Sequence, residues 1–179
     1  MRKRWLAVLS AAAMATGCGS APEKPAPRVD IAGDARVPVS DLAGDTLLEP
    51  GKTTALADFA DRVVVLNIWG AWCGPCRTET PQLAEAKRAT DDLPVRYLGI
   101  DVRDNDRTYA EDFVRDRAVD YPSIYDPAGR VLVNLGRYRG VAVPTTLVLD
   151  RKHRVASVFI GGVLASELTP RVRAVAAES

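Results

Sequence analysis

Histidine occurs once in the 179 residues and cysteine three times. A structural zinc site needs about four ligands, usually two CxxC pairs or one CxxC with two histidines. Cys18, Cys73, Cys76 and His153 do not supply that set. The attachment motif of c-type haem is missing too, because Arg77 stands where a histidine would follow the second cysteine of the pair. Net charge is equally scarce: a formal +1 gives no electrostatic footprint for nucleic acid. No apolar run reaches the roughly 20 residues of a bilayer-spanning helix, and no internal repeat is visible. What remains is a chain of ordinary composition, 47% hydrophobic and 26% charged, long enough for one domain with accessories.

The dense basic run Arg2-Lys3-Arg4 precedes apolar Trp5 to Ala15 and the small residues Thr16, Gly17 and Cys18. A basic start, a short apolar stretch and a small-residue cleavage site read as an export signal over residues 1–17. Ala15-Thr16-Gly17-Cys18 resembles the bacterial lipobox, in which the cysteine thioether carries a diacylglyceryl group, although Ala15 stands where leucine is usual. Lipidation of Cys18 is the expectation, with plain secretion and an uncleaved anchor as the alternatives. It accounts for the odd cysteine, since a leftover thiol in an exported protein invites wrong pairing. Residues 18–36, with prolines at 22, 25 and 27, read as an extended tether. Residues 37–179 are left as the folded domain.

Within that domain, Val63 to Trp69 is nearly continuous apolar and β-branched, the mark of a strand covered on both faces of a parallel sheet. A helical stretch follows Cys73 to about residue 91, then a second strand over Val95 to Val102. The segment 106–119 carries a helical stripe through Tyr109, Phe113 and Val114. Ser123 to Asp126 is a short apolar piece, and Val131 to Leu135 reads as a short helix. Thr145 to Asp150 and Val155 to Ile160 look like a hairpin, after which Leu164, Leu168, Val172 and Val175 repeat at helical spacing. Upstream, Val37–Val39 and Thr53–Leu56 are expected to form a small additional hairpin. Alternating strands and helices closed by a hairpin and a helix imply an α/β sandwich with a mixed sheet.

Cys73 and Cys76 enclose Gly74-Pro75. As a structural staple the pair would close a very small loop, and loop-closure stabilisation shrinks with the loop. A reversible dithiol is the favoured reading. A free cysteine has a pKa near ~8.5, so only about 3% would be thiolate at neutral pH. Cys73 falls where a buried strand ends and a helix begins. There unpaired N–H groups and the positive end of the dipole favour the thiolate, and such sites reach pKa values of about 3.5 to 7. Cys73 is therefore the expected nucleophile. Cys76, one turn further in and less exposed, is placed to resolve a mixed disulfide. Pro75 suits the first helical turn, where its missing N–H is harmless.

Trp72-Cys-Gly-Pro-Cys76 after a buried strand, with Val143-Pro144-Thr145 opening a later one, resembles the thioredoxin fold. More narrowly it is similar to the TlpA/ResA group of membrane-tethered thiol–disulfide oxidoreductases. The likeness covers about residues 37–176 and includes Asn67 to Cys73, Cys76 to Pro81 and Val143 to Asp150. The long gap from Cys76 to Pro144 suits that group's helix-plus-strand insertion, here about residues 105–126. The resemblance implies a monomer without cofactor or metal, reducing disulfides of exported proteins, often apocytochrome c before haem attachment. It implies electrons from a membrane thiol carrier of the CcdA type and a place on the outer face of the cell membrane. It also implies a cis Pro144, with the backbone of Val143 and Thr145 and the side chain of Trp72 facing the client.

Two positions depart from plain thioredoxin. Its buried aspartate six residues before the first cysteine is here Asn67, which cannot accept a proton, and Glu79 lies on the helical face of Cys76. Glu79 is either a solvated helix residue or the group that takes the Cys76 proton, as the resemblance to ResA-type proteins implies. Trp69 is a packing residue and Trp72 a shield for Cys73. Pro81 should kink the helix, Arg137 and Arg139 belong to a solvated loop, and His153 sits on the surface of the hairpin. Three rivals stand beside a reductase. The first is a disulfide-forming oxidase. The second is a peroxidase, although Leu66 and Gly70 occupy the places of the proline and threonine in its Pro-x-x-x-Thr-x-x-Cys pattern. The third is a copper chaperone using Cys73, Cys76 and His153.

Overall fold

The computed structural model describes residues 26–39, 41–140 and 142–178. Eight strands occur in chain order: β1 (Arg28–Asp30), β2 (Ala43–Thr46), β3 (Glu49–Ala55), β4 (Val63–Trp69), β5 (Val95–Val102), β6 (Ser123–Asp126), β7 (Thr145–Leu149) and β8 (Val155–Ile160). Three α-helices join them: α1 (Gly74–Arg88), α2 (Arg107–Asp116) and α3 (Ala165–Ala176). The strands form one sheet in the order β1-β8-β7-β4-β5-β6-β2-β3. β4, β5 and β6 run parallel, and the remaining pairings are antiparallel. This is the mixed α/β sandwich expected, with α2 and β6 as the helix–strand insertion.

Successive strand residues face opposite sides, and both sides are covered. Val63 and Val65 pack with Leu83 and Ala86 of α1 and with Leu168, Val172 and Val175 of α3. Val64, Leu66 and Ile68 face the other way, against Leu42, Leu56 and Leu135. All seven β4 residues are buried, which is why that strand shows no alternation. The C-terminal end of β4 enters a third cluster with α2, in which Trp69 stacks on Phe113 at 5.0 Å between ring centroids.

Two expectations need correction. The N-terminal hairpin is β2–β3, with Ala43–Asp45 opposite Thr53–Ala55. The turn at Leu47-Leu48 carries none of the usual turn residues. Its carbonyls are instead satisfied by Arg107, whose Nε donates to Leu47 O at 3.1 Å and whose Nη2 donates to Thr46 O. Val37–Val39 pairs elsewhere: Val39 N donates to His153 O, and Val155 N donates to Val37 O. The tether expected through residue 36 is already folded from Arg28, because β1 pairs with β8 from Arg28 to Asp30. The Arg36 side chain is buried between Asp150 (3.2 Å) and Glu178.

α1 continues through Pro81. The Arg77 carbonyl that loses its helical partner there accepts from Arg117 Nη1 at 3.4 Å instead. Among the described residues no helix is long and apolar enough to cross a membrane. The signal segment 1–17 and Cys18 lie outside the described residues.

Candidate active site

Cys73 caps the N-terminus of α1, with Pro75 in the first turn, and is disulfide-bonded to Cys76. The strand-to-helix junction forms here because β4 ends at Trp69 and Pro75 is pre-set for a first helical turn. The Cys73 sulfur accepts from Cys76 N at 3.2 Å, so an unpaired helix N–H points at the atom that would carry thiolate charge. The expected difference in exposure is not seen: each cysteine is 2% exposed. Both cysteines belong to the cluster of Trp69, Ala71 and Phe113. What distinguishes the two is position, Cys73 at the cap and Cys76 inside the helix.

Glu79 is not a solvated residue. It is 2% exposed, one turn below Cys76 on α1, and touches three other parts of the fold. Its Oε1 accepts from Thr146 Oγ1 at 3.1 Å and from Val163 N at 3.3 Å, and its Oε2 accepts from Asn67 Nδ2 at 3.3 Å. Asn67 also donates to Thr146 Oγ1 at 3.1 Å. Burial pushes the Glu79 carboxyl up from 4.5 to about 7, against the pull of these three donors. A group poised there can take or give a proton at neutral pH.

The Val143–Pro144 bond is cis. Val143 packs on the cluster that holds both cysteines, so the two segments meet at one end of the adjacent strands β4 and β7. Pro144 is buried and its carbonyl accepts from Gly161 N at 2.9 Å. The Thr145 side chain is fully buried and donates to Ala142 O at 2.7 Å. It shapes the loop, and Thr145, paired with Ile68 of β4 and Ile160 of β8, leaves no exposed surface of its own, against the expectation that its backbone faces a client. Trp72 is 43% exposed beside Cys73. It folds back over Gly70, donates Nε1 to Val102 O at 2.9 Å and lies under the Arg103 guanidinium at 5.7 Å.

His153 is not part of this site. It occupies the β7–β8 turn, at the end of the hairpin away from Pro144, with Nε2 3.1 Å from Phe59 O. Arg137 bonds Ala35 O at 3.3 Å and Arg139 is exposed. Several residues that sequence reading passed over surround the cysteines. Ala71 N donates to Asp104 Oδ2 at 2.6 Å, and Ala71 O accepts from Arg77 Nη2 (2.9 Å) and Tyr109 OH (3.3 Å). Asp101 is wholly buried nearby. A charged residue inside the apolar run Tyr97 to Val102 was the signal that could have found it.

The Redoxin family model matches residues 24–172. A DsbF homologue from Corynebacterium diphtheriae is 38% identical, with 87% of this chain and 97% of that one covered and a TM-score of 0.77. A secreted thiol-disulfide isomerase from Corynebacterium glutamicum is 36% identical, with 89% and 97% covered and a TM-score of 0.76. The thiol-disulfide oxidoreductase ResA of Bacillus thuringiensis subsp. konkukian is 28% identical over 111 residues, and the chain spans 62% of the length of that curated relative. The chain belongs to the redoxin family, as a thioredoxin-fold member of the ResA/TlpA thiol–disulfide oxidoreductase type.

Proposed function

We propose that this protein reduces disulfides of exported proteins, from a position on the outer face of the cell membrane where a lipid on Cys18 holds it. The observation that carries the reading is the buried Glu79 carboxyl one turn beneath Cys76, hydrogen-bonded by Asn67, Thr146 and Val163. In the reduced protein the Cys73 thiolate attacks a client disulfide. One client sulfur leaves as thiolate and takes a proton from water, and the other stays bonded to Cys73. Cys76 gives its proton to Glu79 and attacks the Cys73 sulfur, expelling the second client thiolate, which takes its proton from water while Glu79 returns its own to solvent. The client gains two electrons and two protons, and Cys73–Cys76 ends as the disulfide. The clients we assign are disulfide-bearing exported proteins, apocytochrome c among them, and a membrane thiol carrier of the CcdA type returns the electrons.

A disulfide-forming oxidase is the second reading. It is favoured by the N–H of Cys76 aimed at the Cys73 sulfur, because stabilising the thiolate stabilises the reduced form and makes the pair a stronger oxidant. The division of labour is tested by trapping. With Cys76→Ser, a covalent client adduct should accumulate on Cys73, and Cys73→Ser should form none. Faster alkylation of Cys76 than of Cys73 in the reduced protein would reverse the assignment.

A further inference from the structure

Asp101 lies in β5 with Trp69 of β4 and Tyr125 of β6 as its strand neighbours. It is 0% exposed, and among the described residues neither of its oxygens finds a donor. A buried carboxylate without a donor is strongly disfavoured. The group within its hydrogen-bonding reach is the side chain of Asp104, itself 4% exposed. Two carboxylates cannot bond to each other, since both only accept. One proton between them removes the conflict. Asp104 already has a donor in the Ala71 N–H at 2.6 Å and Asp101 has none, which places the shared proton on Asp101.

Resting on the redox reading above, we propose that Asp101 and Asp104 share one proton and act as a positioning pair for the loop that presents Cys73. Asp101 O–H donates to the Asp104 carboxylate, which in turn holds the amide of Ala71, two residues before the nucleophile. From its other side Ala71 is held by Arg77 and Tyr109, so the loop is clamped through both polar groups of one residue. The end of β5 adds a second grip, because Val102 O takes the Trp72 indole.

The charged and titratable groups facing the pair come from each neighbouring element. Asp126, at the end of β6, adds negative charge, although its own oxygens are satisfied by Arg130 N and Val131 N at 2.8 Å. Tyr125 donates its hydroxyl to Asp104 O at 2.8 Å. Arg107 of α2 opposes them but is tied to Asp45 and Glu111. Burial first, then Asp104 and Asp126, pushes the Asp101 carboxyl up to about 9. Asp101 therefore stays neutral where the enzyme works. Its ionisation at higher pH places a second charge beside Asp104 and weakens the hold on Ala71.

The test pairs a direct readout with a kinetic one, on the full reduced chain. At about pH 8, where Glu79 is mostly ionised, the infrared difference between wild type and Asp101→Asn should show a protonated carboxylic acid carbonyl band in the wild type only, fading above about pH 9. Asp101→Asn keeps a donor toward Asp104 but cannot titrate. Its Cys73 alkylation rate, followed with iodoacetamide, should hold a flat plateau at alkaline pH, whereas the wild-type rate should fall severalfold from its plateau as Asp101 ionises. Absence of the band in the wild type overturns the pair. A band with superimposable alkylation profiles overturns the positioning role. Both readouts stand even if the protein proves unable to reduce a client, so failure of the redox reading would be seen separately.

Discussion

Replacing Glu79 by glutamine removes a titrating carboxyl from beneath Cys76 and keeps its shape. With that carboxyl raised from 4.5 to about 7, its ionised form burdens the folded state by on the order of 3 kcal/mol, at about 1.36 kcal/mol per tenfold change in proton affinity. The folded chain keeps a proton that the unfolded chain releases. Wild-type stability therefore falls as pH rises from ~4.5 to ~7 and levels off above that window. Glutamine cannot titrate, so its curve lacks this fall. The substitution has its own penalty: the Asn67 amide that donates to Oε2 would meet an N–H₂ group, at about 1 kcal/mol for one mismatched hydrogen bond. Glu79→Gln should thus be slightly less stable than wild type near pH 4.5 and about 2 kcal/mol more stable at pH 8. Urea unfolding of the oxidised proteins across that range measures the crossover.

The same variant separates structure from catalysis. Without the carboxylate the Cys73 thiolate loses a neighbouring negative charge, so its apparent pKa should drop. Resolution by Cys76 should slow, by on the order of 10²-fold or less for one lost general base. Alkylation of Cys73 against pH and single-turnover reduction of a model disulfide report the two effects. Parallel unfolding curves, superimposable alkylation profiles and equal turnover would show that Glu79 is neither buried against ionisation nor coupled to the dithiol.

Gly99→Ala should destabilise by about 1–3 kcal/mol. Its Cβ would lie 2.1 Å from Ser123 Oγ and 2.8 Å from Trp69 Nε1, breaking the bond between those side chains beneath the active site; an unfolding midpoint equal to wild type would contradict that packing. If Cys18 carries the lipid, Cys18→Ser should leave the membrane fraction or persist as an uncleaved precursor, and wild-type protein found wholly in the soluble exported fraction would end the tether proposal.

How much of this was legible in the sequence depends on where each signal resides. β4 and β5 could be read residue by residue because a strand buried on both faces is a nearly unbroken apolar run. The β2–β3 hairpin could not, because the Leu47-Leu48 turn is held by Arg107 sixty residues later and not by its own residue types. β1 is hidden for another reason: Arg28, Val29 and Asp30 are all exposed, and their partners in β8 and at Ser157 and Arg171 lie far along the chain. At the site, the cysteine pair and Pro144 announce themselves locally. The burial of Glu79 depends on Thr146 and Val163, distant in sequence. The link from Asp104 to Ala71 depends on where the turn after β5 falls in space.

The central claim is that Cys73 and Cys76 form a reducing dithiol. Its most direct measurement is the reduction potential of the purified protein at equilibrium with glutathione, read from the fraction of Cys73–Cys76 disulfide. A potential near or below about −220 mV is the result expected of a reductase, and one near −120 mV would contradict it and leave the oxidase reading in its place.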